Sequence, residues 1–131
     1  MHKGLLVTEF GFEDVEYDDY EDIQELLDCD CFAVCPWLFG DSPACYIDDE
    51  GKFDGNYPNR ALYHDGELVD IIFGDMLFAG IDMETGESRD ITEDEKRRVR
   101  ERFSDGESGP GSGIAAIMGI RTGIDWNGLQ E

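Results

Sequence analysis

Positive charge is scarce in this chain. Ten Lys and Arg stand against 32 Asp and Glu in 131 residues, a formal net charge of −22, and Lys occurs only as Lys3, Lys52 and Lys96. A field of that sign repels phosphate backbones and anionic headgroups, which excludes duplex nucleic acid and membrane surfaces as direct partners. Histidine is scarcer still, with only His2 and His64. A serine or cysteine nucleophile needs a base to activate it, and two isolated His nominate none. Phe39-Gly40-Asp41-Ser42 imitates the nucleophile block of a serine esterase family, yet no His stands three residues after an Asp. No run approaches the roughly 20 apolar residues of a membrane span. No apolar h-region follows Met1, so no signal peptide and a cytoplasmic location are expected. A Gly-rich phosphate loop with its following Lys is missing as well.

Metal and carboxylate chemistry find little support. Cys29, Cys31, Cys35 and Cys45 are spaced C-x-C-x3-C-x9-C, without the paired knuckles of structural zinc sites. With residues 31–37 as a strand, the first three thiols are expected to line one face and fill the core, with neither metal nor disulfide. Asp48 and Glu50 fall where a calcium loop begins, but Lys52 takes a ligand position and Asn59 the place of the closing Glu. Acid–base pairs of the glycosidase kind can be drawn anywhere among 32 acids. The expectation is a non-enzymatic protein without a cofactor.

What is present is a core and a charge pattern. Hydrophobic residues make up 40% of the chain, with eight Phe, five Tyr and two Trp, too much apolar surface for disorder. The length fits one domain, expected over 1–103, with a flexible Gly/Ser-rich linker at 104–113 and an apolar, Gly-containing tail at 114–131. Leu5–Phe10 and Phe12–Tyr17 read as a hairpin. A helix over 19–28 is expected to start with a capping box of Asp18 and Glu21 and to bury Tyr20, Ile23, Leu26 and Leu27. Ala44–Ile47 reads as a strand and Asp48-Asp49-Glu50-Gly51 as an acidic turn. Pro58–Tyr63 reads as a helical turn with Pro at its first position. Val69–Phe73 and Met76–Ile81 read as a hairpin or one bulged strand. Thr92–Phe103 is a second helix, with a Thr92/Glu95 capping box. Half of all the bases fall between Lys96 and Arg102, where the helix dipole favours cations.

The fold expected from these elements is α+β. It is a small, mostly antiparallel sheet of five or six strands with two helices packed on one face, followed by the flexible tail.

The stretch Asp48-Asp49-Glu50-Gly51-Lys52-Phe53-Asp54-Gly55, followed by Pro58-Asn59-Arg60-Ala61-Leu62, resembles the family catalogued as domain of unknown function 3846. Asp70–Gly80 and the helix opening Ile91-Thr92-Glu93-Asp94-Glu95 continue the likeness, which covers roughly Leu5 to Phe103. Asn56-Tyr57 departs from the family, which often has a second Pro nearby. The resemblance implies a phage-, plasmid- or other mobile-element type of bacterial protein, and implies no activity. Asn59 and Arg60 are its most recognisable side chains, expected to serve a helix start and a structural salt bridge.

From Glu9 to Asp30 there are eleven acids and no base. The expected binding face is Asp14, Glu16, Asp18, Asp19, Asp22 and Glu25, directed at a basic surface of a nucleic-acid-handling protein and offering carboxylates in place of phosphates. The alternative is an accessory or structural domain, acidic for solubility, that acts as a homodimer or through its tail.

Overall fold

The protein is described by a computed structural model covering residues 1–35, 38–40, 42–51 and 56–119. Residues 36 and 37 of the expected strand, Asp41 of the esterase-like block, Lys52–Gly55 of the family-like stretch and the tail from residue 120 lie outside these residues. In chain order the elements are β1 (His2–Thr8), β2 (Gly11–Tyr17), α1 (Tyr20–Leu27), β3 (Phe32–Cys35), β4 (Ala44–Asp48), β5 (Pro58–His64), β6 (Glu67–Phe73), β7 (Met76–Ile81), β8 (Ser88–Arg89), α2 (Glu93–Phe103) and α3 (Ser112–Ile117), with a 3-10 turn at Gly106–Ser108 before α3. The main sheet runs β2-β1-β7-β4-β3 with β8 against β7, and β5-β6 form a separate hairpin. Every pairing is antiparallel. The α+β fold with a mostly antiparallel sheet is as expected.

Strand alternation divides the core into two layers. Leu5 and Val7 of β1 and Phe78 of β7 join Val99 and Phe103 of α2 and Leu62 and Ile72 of the hairpin. Leu6 and Leu77 point the other way, to Ile23 and Leu27 of α1. The two helices therefore pack on opposite faces, not on the same face. Each carries one apolar stripe, but a sheet buried on both sides offers two surfaces to receive them. Phe78 meets Phe103 with ring centroids 5.7 Å apart.

Local readings failed where tertiary contacts set the conformation. Pro58–Tyr63 is strand, not a helical turn. It pairs with β6 through irregularities at Pro58/Arg60 and Leu62/Tyr63, and residues 59–63 are all buried. Val69–Phe73 and Met76–Ile81 pair with different partners, not with each other. Gly74, at φ +88°, makes the corner between them. Within residues 104–113, expected as a flexible linker, Ser108, Ser112 and Gly113 lie against β5. Ser108 Oγ donates to Ala61 O at 2.7 Å, and Ala61 N donates to Ser112 Oγ at 3.0 Å. A Cβ on Gly113 would stand 2.8 Å from the Pro58 carbonyl carbon. The small residues that read as a linker are the ones that permit this approach.

The caps show the same competition. Thr92 and Glu95 form the expected box on α2, with Glu95 N donating to Thr92 Oγ1 at 3.1 Å and Thr92 N to Glu95 Oε1 at 3.0 Å. On α1 the box is Asp19 with Asp22, one position later than expected. The four thiols are free, but they do not line one face. Cys35 packs with the α2-side core, Cys29 with the α1-side core, and Cys31 is exposed. Burial pushes the Cys45 thiol well up. No helix among the described residues is long and apolar enough to cross a membrane.

Candidate functional site

The six acids expected to form one face are divided by the sheet. Register puts Asp14 opposite Leu5 and Glu16 opposite Lys3, so both project on the α2 side. There Lys96 Nζ donates to Asp14 Oδ1 at 2.9 Å, and this bond with the Lys96 charge holds the Asp14 carboxyl below its ordinary value. Lys3, Asp14, Glu16 and Lys96 line one shallow groove of mixed charge. Asp18, Asp19, Asp22 and Glu25 belong to α1 and its N-terminus, on the other side.

Two of those four have a structural task. Asp22 N donates to Asp19 Oδ1 at 3.0 Å, and Asp22 Oδ2 accepts from Asp18 N at 2.7 Å and Asp19 N at 3.2 Å. These bonds satisfy N–H groups that the first turn leaves without partners. Asp18 and Glu25 are exposed.

A set of acids that shares only Glu25 with the expected six gathers along α1 and its C-terminal exit. Glu21, Glu25, Asp28 and Asp30, with Gln24, Cys29 and Asn56, line a cleft of about 640 Å³. Among the described residues no Lys or Arg lines it. The local backbone explains the gathering. Glu21 and Glu25 are one turn apart on the helix. Asp28 caps α1 at φ 51°, with its N–H turned back to Gln24 O and Glu25 O. Gln24 Nε2 donates to Asp30 O, fixing the exit. The last turn of α1 has no base, so the negative end of the helix dipole adds to the carboxylates. Glu21, Asp28 and Asp30 were all within the acidic run, but the left-handed cap that brings them together has no strong signal in Leu27-Asp28-Cys29.

A second constellation gathers the residues that carried the family likeness. Asn59 Nδ2 donates to Val7 O and to Gly74 O, both at 2.9 Å. Arg60 Nη1 donates to Asn59 Oδ1 at 2.6 Å. The pair pins the end of β1 to the β6–β7 corner. The salt bridge expected of Arg60 is not found among the described residues. Its side chain is fully buried, Nε and Nη2 have no hydrogen-bond partner among the described residues, and burial lowers its pKa. Beside it, Tyr57 OH donates to Asp75. Burial, with Glu13 nearby, raises the Asp75 carboxyl despite that bond. Tyr57 is raised too, by burial and by Asp75. Asn59 and Tyr57 bonded in this way act as braces between strands.

A family described as a domain of unknown function (DUF3846) matches residues 2–104. No curated protein and no solved structure matches the chain.

Proposed function

The chain belongs to the DUF3846 family, and from that premise we propose that it is a non-enzymatic interaction protein whose acidic α1 cleft receives a basic protein surface. One observation carries the reading: Glu21, Glu25, Asp28 and Asp30 and the negative end of α1 open onto one cleft that no base among the described residues lines. Like charges held together repel one another, and a cationic partner relieves that repulsion as it docks.

The partner class that fits is a nucleic-acid-handling protein, whose basic channel ordinarily holds phosphates. Glu21 to Asp28 covers about 10 Å of helix axis, enough to occupy a pair of basic side chains. Asp18 extends the acidic surface at the other end of α1. A mobile-element protein that blocks a host defence nuclease would use such a surface, and the proposal extends to that role.

The test measures binding of a hexa-arginine peptide, and of a DNA-binding domain with a basic channel, to the wild type and to E21Q/E25Q/D28N/D30N. The expected result is an affinity that falls steeply with salt and is lost in the variant. Equal affinity of the two proteins at low salt would overturn the reading.

A second reading rests on α3, where Ile114, Ile117 and Met118 are exposed. That apolar surface favours an accessory domain that pairs with its own copy. Sedimentation of wild type and I114S/I117S distinguishes the two readings, because only self-association through α3 predicts a dimer lost in that variant.

A further inference from the structure

The two edges of the main sheet differ in how they are protected. Edge strands invite pairing with another chain, and charge is the usual guard. β2 carries Glu13, Asp14 and Glu16. At the opposite edge, β3 and the residue before it read Cys31-Phe32-Ala33-Val34-Cys35, without a charge. Val34 is 52% exposed.

Its hydrogen-bonding phase can be read from one bond. Asp49 N donates to Cys31 O at 3.1 Å, which makes Cys31 and Asp49 a hydrogen-bonded pair in the register of β3 with β4. Alternation then turns the N–H and C=O groups of Phe32 and Val34 away from β4, towards the open edge. No strand lies beyond β3 among the described residues.

We propose that β3 takes up an extended basic segment of a partner protein as an added strand. This rests on the acidic-cleft reading and gives its binding mode. Phe32 packs with the α1-side core, and its ring lies 4.4 Å from that of Tyr20 at the start of α1. Val34, two residues on, shares that side. Side chains of an added strand opposite Phe32 and Val34 therefore emerge on the α1 side of the sheet. The carboxylates there belong to Glu21 and Glu25 of the helix and to Asp28 and Asp30 on the path into β3. Main-chain bonds supply the attachment and Lys or Arg at alternate positions supplies the selectivity, as in other strand-addition sites. A second copy of this chain is the wrong occupant, since it would bring a like cluster of carboxylates against the first.

The experiment uses the full chain and two peptides of equal charge, the Lys-Val peptide Ac-Lys-Val-Lys-Val-Lys-Val-amide and its analogue methylated at every backbone nitrogen. Methylation removes the N–H groups that a ladder needs in either strand direction. The Lys-Val peptide is expected to bind about tenfold more tightly, the change that about 1.4 kcal/mol represents, and to slow exchange of the Phe32 and Val34 amide hydrogens. Val34→Pro is expected to remove that advantage, since an edge position with its N–H facing outward tolerates proline. Equal binding of the two peptides, or unchanged exchange at Phe32 and Val34 with the Lys-Val peptide bound, overturns strand addition. If the E21Q/E25Q/D28N/D30N variant loses both peptides while Val34→Pro keeps its preference, strand addition fails and the acidic cleft stands. If the wild type binds neither peptide, both fail.

Discussion

The two sides of the sheet treat the same residue type in opposite ways. On the α2 side several acids are matched: Glu95 with Arg89 at 2.7 Å, Asp14 with Lys96 at 2.9 Å, Asp94 with Arg97 and Arg98. On the α1 side Glu21, Glu25, Asp28 and Asp30 have no ion pair among the described residues. The difference follows from where the bases are: half of them lie in α2, and the sheet separates that helix from α1. Matched acids can be assigned to holding the fold. Unmatched acids raise the energy of the folded state, and the proposed binding surface is drawn from them.

The largest expected effect lies on the matched side. The Glu95 side chain is only 3% exposed and is bonded to Arg89, Ser42 and Thr92. Burial acts to raise its pKa, but those bonds prevail and bring it to about 2, from an ordinary 4.5. A carboxyl depressed in this way stabilises fully above its unfolded value. The contribution fades as pH falls from about 4.5 towards 2. Glu95→Gln is expected to cost about 2 kcal/mol in urea unfolding at neutral pH and to flatten the acid limb of the stability curve in that window. An unchanged acid limb would show that Glu95 is not held as described.

A smaller effect separates the acids within α1. Asp19→Ala removes the capping acceptor and is expected to cost about 1 kcal/mol, whereas Asp18→Asn, which touches no cap side chain, leaves stability within about 0.5 kcal/mol. Equal losses would put Asp18 back in the cap.

The smallest effect tests the sign of the contrast. Asp28→Asn places a neutral residue that tolerates the left-handed conformation at the negative end of α1. It is expected to stabilise by about 0.5 kcal/mol at low salt, with the gain shrinking as salt rises. Asp14→Asn, on the matched side, is expected to destabilise by about 0.5 kcal/mol, because Asp14 is 68% exposed and its bond to Lys96 is partly screened. The same sign for both would remove the distinction between the two sides.

The sequence by itself determined the class of the fold, the β1–β2 hairpin, both long helices, the α2 cap and the excess of acid. Each of these is written in residues close together in the chain: period-two alternation, three- and four-residue spacing, a Thr92 three positions before Glu95. The family likeness was legible for the same reason, in the short run Pro58–Leu62. Tertiary structure decided the rest. Pro58–Tyr63 became strand because β6 pairs with it on one side, while on the other Ser108 donates to Ala61 O and Ser112 accepts from Ala61 N. Asn59 became a brace with Arg60 bonded to it, since what Asn59 meets comes from β1 and the Gly74 corner. The acidic run was divided because Asp14 and Glu16 of β2 project from the face of the sheet opposite α1. Charge can be counted along a chain, but its compensation depends on which side of the core each carboxylate occupies, and long-range packing sets that.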